Sequence, residues 1–172
     1  MNCLALDLGT STGYAFNQGE YFEHGTWLLA SDDEIKNWGK DRSRRRCDPR
    51  ILRLHAKLVI LQDKHGFDRV VFEDVQFKSY TYQTQLWASF RAAVWLSMPS
   101  GIIECVPVST LKKFATGHGG ATKEMMAAAL ARKHPEIRLT SEATDDTVDA
   151  IWLHKWATLN LSRSNYGKPI TR

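Results

Sequence analysis

Three short apolar runs, separated by longer segments of helical character, constrain the fold of this chain more than any other feature. The runs are CLAL at 3–6, VVF at 70–72 and IIECV at 102–106. Each is apolar at consecutive positions, which is typical of strands that helices cover on both faces. Strands joined through helices pair in parallel by right-handed crossovers. The sequence therefore predicts an α/β protein with a mixed sheet, in which chemistry gathers at the carboxyl ends of the parallel strands.

Turn and capping residues divide the rest of the chain into a hairpin and helices. The segments GYAFN and YFEHGTWLL are joined through Gln18-Gly19, which predicts an antiparallel hairpin. Asp48, Pro49 and Gly66 have the residue types that begin and end a helix. The predicted helices span 48–65, 81–97, a segment from Thr122 to just before Pro135, and 144–160. We expect one domain over 1–161 and a flexible polar tail over 162–172.

Carboxylates follow two of the predicted strands and open the last helix. Asp7 ends the first strand and Glu73 ends the strand after the first long helix. Asp146 and Asp149 lie three positions apart, so they are neighbours on one side of the helix, and Asp145 lies beside them. If the two strands are adjacent, these acids converge.

Helical periodicity places the acids of the last helix on its predicted buried side. That side is formed by Ala150, Trp152, Leu153, Trp156 and Ala157. The opposite side is formed by Thr147, His154, Lys155 and Thr158. Acids on a packing face need a specific reason, because burying a carboxylate without a partner is costly.

Converging carboxylates repel one another unless cations neutralise them. Mg²⁺ or Mn²⁺ bound by oxygen ligands would do so. Two such ions about 3.5–4 Å apart stabilise the attacking and leaving oxygens of a phosphodiester cleavage. The predicted ligands are Asp7, Glu73, Asp146 and Asp149, with Asp145 as an alternative to Asp146 and Asp7 bridging both ions.

Four segments, taken in order, resemble the RuvC-like Holliday junction resolvases of the ribonuclease H-like superfamily. DLGTSTGYA resembles the family's opening motif, VVFEDVQF its second acidic strand, and DDTVDA the start of its last helix. PVSTLKKFATGHGGATKEM resembles the family's proline, lysine, glycine loop and second lysine. The resemblance covers residues 3 to about 160 and implies a five-stranded sheet whose first three strands are antiparallel.

The resemblance also implies a function. It implies a homodimer that binds four-way DNA junctions in recombination and repair, and that nicks two opposed strands to leave 5′-phosphate and 3′-hydroxyl ends. Lys112 and Lys123 match positions that approach the scissile phosphate, and Lys113 is a further candidate for binding DNA. Phe77, Tyr80 and Tyr82 are candidates for stacking on opened bases. The helix over 81–97 would contribute to the dimer through Leu86, Phe90, Ala93 and Val94, although a core helix has the same pattern.

One segment departs from the bacterial pattern. The insert at 31–46 carries Arg42, Arg44, Arg45 and Arg46, and it is interpreted either as a solvated loop or, beside a nuclease site, as a segment that binds phosphates. The divergent hairpin and this insert favour a bacteriophage or divergent bacterial member of the family.

Composition is compatible with this reading but does not establish it. The net charge of +4 and pI near 9.0 mildly favour acidic partners. Three cysteines without a CxxC pair are typical of reduced thiols. The first strand begins at residue 3 and no apolar run reaches the roughly 18 residues of a membrane span. We therefore expect no membrane association and a location in the bacterial cytoplasm or the phage-infected host cell.

Three alternatives remain open from the residues. An actin-like ATPase would use LDLGTSTGYA to bind phosphate, but 172 residues leave no room for its second domain. A ribonuclease H acting on RNA–DNA hybrids would arrange four acids alike, although the Thr12-Gly13-Tyr14 turn and the two lysines favour the resolvase. A non-catalytic DNA-binding relative is disfavoured because all four acids are present.

Overall fold

The strands alternate large and small apolar residues, and this alternation decides which helices pack on each face of the sheet. In the computed structural model, which describes residues 2–40, 47–75, 82–98 and 101–161 except the side chains of Gln18 and Leu161, five strands form one sheet in the order β3-β2-β1-β4-β5. The elements are β1 Cys3–Asp7, β2 Ser11–Gln18, β3 Tyr21–Leu28, α1 Asp32–Lys40, α2 Pro49–His65, β4 Arg69–Asp74, α3 Tyr82–Ser97, β5 Ile102–Pro107, α4 Val108–Thr116, α5 Lys123–Lys133 and α6 Asp145–Leu161. The predicted tail over 162–172 lies outside the described residues.

The pairing of the strands is the one predicted. β1 pairs antiparallel with β2, and β2 pairs antiparallel with β3 across a turn in which Gly19 has φ of 60°. β1 pairs parallel with β4, and β4 with β5. The mixed five-stranded sheet with its first three strands antiparallel is therefore confirmed.

Large residues face α2 and α3, and small residues face α6. Leu4, Leu6 and Phe72 belong to the core cluster that includes α2 and α3. Cys3 and Ala5 belong to the cluster that includes α4, α5 and α6. Because side chains alternate along a strand, Asp7 continues the row of Cys3 and Ala5 on the α6 face.

The predicted helix boundaries agree closely with the structure. The Asp48 carboxylate accepts a hydrogen bond from the backbone N–H of Arg50, and Gly66 ends α2 in the left-handed conformation with φ of 59°. The Thr122 hydroxyl accepts a hydrogen bond from the backbone N–H of Met125 at 3.4 Å and so caps α5. Capping residues were sufficient to locate both helices.

Two helices were not predicted, and one of them lies in the segment interpreted as a loop. α1 begins with a capping box, because Ser31 N–H donates to the Glu34 carboxylate at 2.9 Å while Glu34 N–H donates to Ser31 Oγ at 3.3 Å. Arg53 on α2 also forms an ion pair with Glu34, which holds α1 in place. α4 follows β5 directly and has no side-chain cap at Pro107, so it lacks the usual helix start signal.

The prediction for the two sides of α6 was wrong in part. Thr147 and His154, which were assigned to the side opposite the core, are 0% and 3% exposed. Thr147 is hydrogen-bonded to Thr26 of β3, and His154 lies against Phe22 with ring centroids 5.1 Å apart. Trp152 is also buried and donates its indole N–H to the Met126 carbonyl on α5. α6 is therefore covered by the sheet on one side and by α5 on another, which a single period cannot reveal.

The apolar residues proposed for a dimer interface on α3 belong to the core of the subunit. Phe90, Ala93 and Val94 are buried in the cluster with α2, and Leu86 packs against it. Trp95 and Leu96, near the end of α3, are instead exposed, at 50% and 75%. Within the described residues, no helix is both long and apolar enough to span a lipid bilayer.

Candidate metal and nucleic-acid site

Two of the predicted acids end adjacent parallel strands. Leu6 of β1 is in register with Phe72 of β4, so Asp7 and Glu73, which follow them, lie side by side at the carboxyl edge of the sheet. Both are partly buried. Both strands direct these residues to the face that α6 covers, since Ala5 and Val71, two positions earlier, pack in the α6 cluster.

α6 brings the other predicted acids to the same place because it lies unusually close to β2. A Cβ atom added to Gly13 would come within 1.9 Å of the Asp146 carbonyl oxygen, so only glycine permits this approach. The Ser11 hydroxyl, at the start of β2, donates to Asp146 Oδ2 at 2.6 Å. Gly13 was interpreted as part of a turn, but it lies within β2 and allows α6 to dock.

The electrostatics of Asp7 reflect this convergence. Its removal from water raises its pKa well above the ordinary value, and the carboxylates of Glu73, Asp149 and Asp146 raise it further. Lys123 opposes this effect and lowers the Asp7 pKa. Asp7 is therefore within electrostatic range of all three of the other predicted acids.

Glu73 and Asp149 show the same pattern. Burial and the charge of Asp149 raise the pKa of Glu73 to about 7, although Lys112 and Lys123 lower it. Burial raises the pKa of Asp149 to about 6; Lys123 and Lys112 act against the increase, and neighbouring acids add to it. The two lysines are thus close to the acids, but they leave the carboxylates incompletely neutralised.

Asp145 and Asp146 have different partners. Asp145 Oδ2 lies 3.2 Å from Lys123 Nζ in an exposed ion pair, and hydrogen bonding to Asp145 raises the pKa of Lys123. Asp146 is hydrogen-bonded by Ser11 at the start of β2. This difference favours Asp146 over Asp145 as the acid that faces the centre of the cluster.

The donor chemistry of the cluster suits a hard divalent cation, because all four side chains offer carboxylate oxygens. Among the described residues, however, no group of three or more His, Cys, Asp or Glu side chains is close enough to hold a metal ion. Burial is the largest cause of the raised pKa values of Asp7, Glu73 and Asp149, repulsion between carboxylates adds to it, and a cation would counter that repulsion. The residues therefore fit a metal by charge and ligand type, and their side chains would have to move closer together to coordinate one ion.

An open groove runs beside the acids. Its volume is about 500 Å³, and its lining consists of Asp74, Pro107, Val108, Ser109, Lys112 and Gly119. Lys112 therefore lines the groove and is also close enough to the acids for its charge to lower the pKa of Glu73. Lys113 is exposed on the same helix. A phosphodiester backbone in this groove would lie next to the acid cluster.

Several of the residues predicted to contact DNA lie outside the described part of the chain: Phe77, Tyr80, Arg42, Arg44, Arg45 and Arg46.

Tyr82, the third stacking candidate, is described and has a structural environment. Its hydroxyl donates to Asp48 Oδ2 at 2.9 Å and lies 2.6 Å from Arg50 Nη2. Arg50, which is 4% exposed, also donates to Asp48 and to the Thr10 hydroxyl. These contacts fasten the start of α2 and the start of α3 to the turn between β1 and β2.

The turn after Asp7 is closed by its own side chains. The Thr12 hydroxyl donates to the Gly9 carbonyl at 2.7 Å, and its oxygen accepts from the Gly9 N–H at 3.3 Å. The backbone N–H of Gly9, which a phosphate-binding turn would offer to a nucleotide, is therefore occupied. This observation disfavours the ATPase interpretation of the segment.

Sequence reasoning overlooked Ser11 and Arg50. Ser11 contacts a residue 135 positions away, so no local pattern could indicate its partner. Arg50 lies two residues after the predicted helix cap, and an arginine there is normally solvated. Its neighbour Asp48 was recognised as a cap, but the ion pair that buries both side chains was not.

The fold matches solved structures of junction resolvases. Thermus thermophilus RuvC in complex with a Holliday junction substrate has a TM-score of 0.62 and 15% identity, over 95% of this chain and 96% of that chain. The Fowlpox virus resolvase, solved with its substrate Holliday junction DNA, has a TM-score of 0.52 and 16% identity, over 94% and 99%. The yeast mitochondrial Holliday junction resolvase Ydc2 has a TM-score of 0.50 and 13% identity, over 88% and 75%. At identities this low, the structural similarity shows a shared fold and no more, so the chain has the ribonuclease H-like fold of these proteins. No family model and no curated protein matches the sequence.

Proposed function

We propose that the chain is a RuvC-like, metal-dependent endonuclease that cuts four-way DNA junctions and other branched DNA. The observation that carries the proposal is the convergence of acids from β1, β4 and α6 beside two lysines. The fold is shared with three resolvases, two of which were solved with junction DNA, and this similarity supports the choice of substrate. A structural role for the cluster is disfavoured, because like charges gathered at partly buried positions destabilise a fold.

The proposed reaction is hydrolysis of one phosphodiester bond per active site. A water oxygen forms a bond to phosphorus in line with the departing 3′ oxygen, and the bond from phosphorus to that oxygen breaks. The water loses a proton to solvent and the 3′ oxygen gains one, which leaves 5′-phosphate and 3′-hydroxyl ends. No covalent intermediate with the protein is required.

The acids and the lysines have separate tasks in this reaction. Asp7, Glu73, Asp146 and Asp149 would hold two Mg²⁺ or Mn²⁺ ions. Such ions, when bound, lower the pKa of water and offset charge on the leaving oxygen. Lys112 would contact the scissile phosphate from the groove, and Lys123 would face the acids from the start of α5. Lys113 would add a contact to the DNA backbone.

A homodimer is part of the proposal, since paired nicks on opposed strands require two active sites. Trp95 and Leu96 on α3, with Leu52 and Ile60 on α2, are exposed apolar side chains that a second subunit could cover. Sedimentation of the purified protein over a range of concentrations would measure the subunit count.

The proposal is tested by comparing substrates. Four-way, three-way, flap and linear duplex DNA and an RNA–DNA hybrid are incubated with the protein, with Mg²⁺ or Mn²⁺ and with a chelator. We expect metal-dependent, paired nicks in the four-way junction, little cutting of linear duplex and none with chelator. Preferential cutting of the hybrid would instead identify a ribonuclease H-type enzyme. Hydrolysis of ATP without any cutting would contradict both.

A further inference from the structure

The hydroxyl of Ser11 makes a direct, long-range contact with one of the converging acids. Ser11 Oγ donates to Asp146 Oδ2 at 2.6 Å, and Thr144 Oγ1 donates to the same oxygen at 3.4 Å. The first distance is typical of a short hydrogen bond to an ionised carboxylate. Ser11 is therefore the closer of the two donors on Oδ2, and it ties the Asp146 carboxylate to β2.

The position of Ser11 in the sheet makes this contact a feature of the fold. Ser11, Gly13 and Ala15 lie on the same face of β2, since alternate residues of a strand share a face. Ala15 packs in the cluster that contains α6, and Gly13 lies against the Asp146 carbonyl. β2 therefore presents Ser11 to the first turn of α6, which contains Asp146.

An acid in this position needs a fixed orientation. Asp146 is only partly buried, and its charge adds to the increase that burial causes in the pKa of both Asp7 and Asp149. A carboxylate that repels its neighbours and borders water turns outwards unless another group holds it. Hydrogen bonds to metal-binding carboxylates commonly serve this purpose.

We propose that Ser11 is a positioning residue that holds the Asp146 carboxylate towards the acid cluster, so that the cluster binds its divalent cation at lower cation concentration. The inference rests on the proposed function, because it assumes that the acids bind a cation. It assigns Ser11 no contact with DNA and no part in bond cleavage.

Thr26 of β3 provides a matched control. Its hydroxyl lies 2.7 Å from Thr144 Oγ1 and 2.6 Å from Thr147 Oγ1, so it anchors the same end of α6. It reaches Asp146 only indirectly, through Thr144, whose own contact with Asp146 Oδ2 is long at 3.4 Å. Removal of the Thr26 hydroxyl therefore reports what loosening the helix does by itself.

The experiment compares the unmodified protein with Ser11→Ala, Ser11→Thr and Thr26→Val. Binding of Mn²⁺ in the absence of DNA is measured by the electron paramagnetic resonance of free Mn²⁺, and thermal unfolding is followed in parallel. The Mg²⁺ concentration that gives half-maximal junction cutting is then determined for each protein.

We expect Ser11→Ala to weaken Mn²⁺ binding by roughly tenfold and to raise the required Mg²⁺ concentration similarly, as loss of a hydrogen-bond partner of a metal ligand does. Cutting at saturating Mg²⁺ should stay close to that of the unmodified protein. Ser11→Thr, which keeps the hydroxyl, should bind Mn²⁺ as the unmodified protein does. Thr26→Val should lower thermal stability without weakening the binding of Mn²⁺.

Two results would overturn the inference. One is unchanged Mn²⁺ binding in Ser11→Ala; the other is an equal loss in Thr26→Val, which would make Ser11 a helix anchor only. Both results leave the proposed nuclease intact, because the unmodified protein would still bind Mn²⁺ and cut junctions. Failure of the unmodified protein to bind Mn²⁺ would overturn the proposed function together with the inference.

Discussion

Two clusters of charged side chains flank the turn between β1 and β2. One pairs opposite charges at buried positions, and the other brings together charges of the same sign. On one side of the turn, Arg50 and Asp48 form an ion pair of 2.6 Å, with 5% and 11% of their side chains exposed. Burial alone would raise the pKa of Asp48, yet hydrogen bonds from Arg50 and Tyr82 lower it below its ordinary value. At the end of β1, burial raises the pKa of Asp7, and the carboxylates of Glu73, Asp149 and Asp146 raise it further.

The contrast separates a charge cluster that stabilises the fold from one that reduces its stability. In the Arg50 cluster every charge has a partner, so removing one partner leaves the other buried and unpaired. In the acid cluster the charges have the same sign, and Lys112 and Lys123 offset them only in part. Partly buried groups with strongly perturbed pKa values are concentrated at functional sites. Mutation of the Arg50 cluster should therefore lower the stability of the fold, whereas mutation of the acid cluster should lower activity and raise stability.

The largest effect is expected for Asp7→Asn. We expect junction cutting to fall by roughly a thousandfold, which corresponds to about 4 kcal/mol of lost transition-state stabilisation. Binding of the junction should persist, because removing a negative charge does not weaken attraction to DNA. Thermal stability without metal should rise, since the substitution removes a repelled carboxylate.

Rates of nicking, gel shifts and thermal unfolding measure these three responses to Asp7→Asn. Asp63→Asn on the exposed surface of α2 is the control, and it should change none of them. Cutting at the normal rate in Asp7→Asn would remove Asp7 from the proposed metal site.

Arg50→Met is expected to have the next largest effect, which should be a loss of folding stability and not a change in the chemistry of cutting. Breaking a buried ion pair from one side costs about 3–5 kcal/mol, because the remaining charge has no partner. Chemical denaturation measures this loss, and Arg53→Met, which breaks the exposed pair with Glu34, should cost far less. If Arg50→Met folded as stably as the unmodified protein, the contrast between the clusters would fail.

Local sequence signals were sufficient for most of the fold and for the acids. Apolar runs located the central strands, and caps located α2 and α5, because these signals are local in the chain. Asp7 and Glu73 could be predicted to converge because the ends of adjacent parallel strands meet by geometry. Ser31 and Glu34 also formed a local signal, the capping box of α1, but the polar character of the insert obscured it.

The missing parts of the prediction depend on contacts between distant segments. The hydrogen bond between Ser11 and Asp146 exists only because Gly13 allows α6 to approach β2. The periodicity of α6 identified one packing face but not the number of elements around it, so His154 was assigned to the wrong side. The exposed apolar side of α3 was misjudged for the same reason.

His154 extends the contrast to a single buried ionisable group, whose charged form is disfavoured by burial. Burial lowers its pKa to about 4, with a smaller effect from Lys155, and within the described part of the chain its Nδ1 atom has no hydrogen-bond partner. The unfolded chain binds a proton near pH 6.5 while the folded chain does not, so stability must fall as the pH drops from about 6.5 towards 4. Chemical denaturation at pH 7 and at pH 4.5 measures the loss of unfolding free energy between the two pH values. We expect this loss to be about 2 kcal/mol larger in the unmodified protein than in His154→Leu.

The comparison of variants at two pH values removes the contribution of the acids. Their raised pKa values act with the opposite sign, since Glu73 and Asp149 take up protons more readily in the folded chain. This contribution is common to both proteins and cancels in the difference. Equal pH dependence in the two proteins would show that His154 is solvated or paired.

The smallest effect is expected for Lys112→Ala, and it tests how far a lysine neutralises the acid cluster. Lys112 lines the groove and lowers the pKa of both Glu73 and Asp149, so its loss removes a cation from the acids and, in the proposed reaction, from the scissile phosphate. We expect single-turnover cutting at saturating DNA to slow about tenfold, equivalent to about 1.4 kcal/mol, with only modestly weaker binding. Lys113→Ala is the matched control, because this exposed neighbour should weaken binding only, and less so at high salt. Equal cutting rates in the two variants would mean that Lys112 acts as an ordinary contact to the DNA backbone, and the acids would then depend on metal ions and Lys123 for their neutralisation.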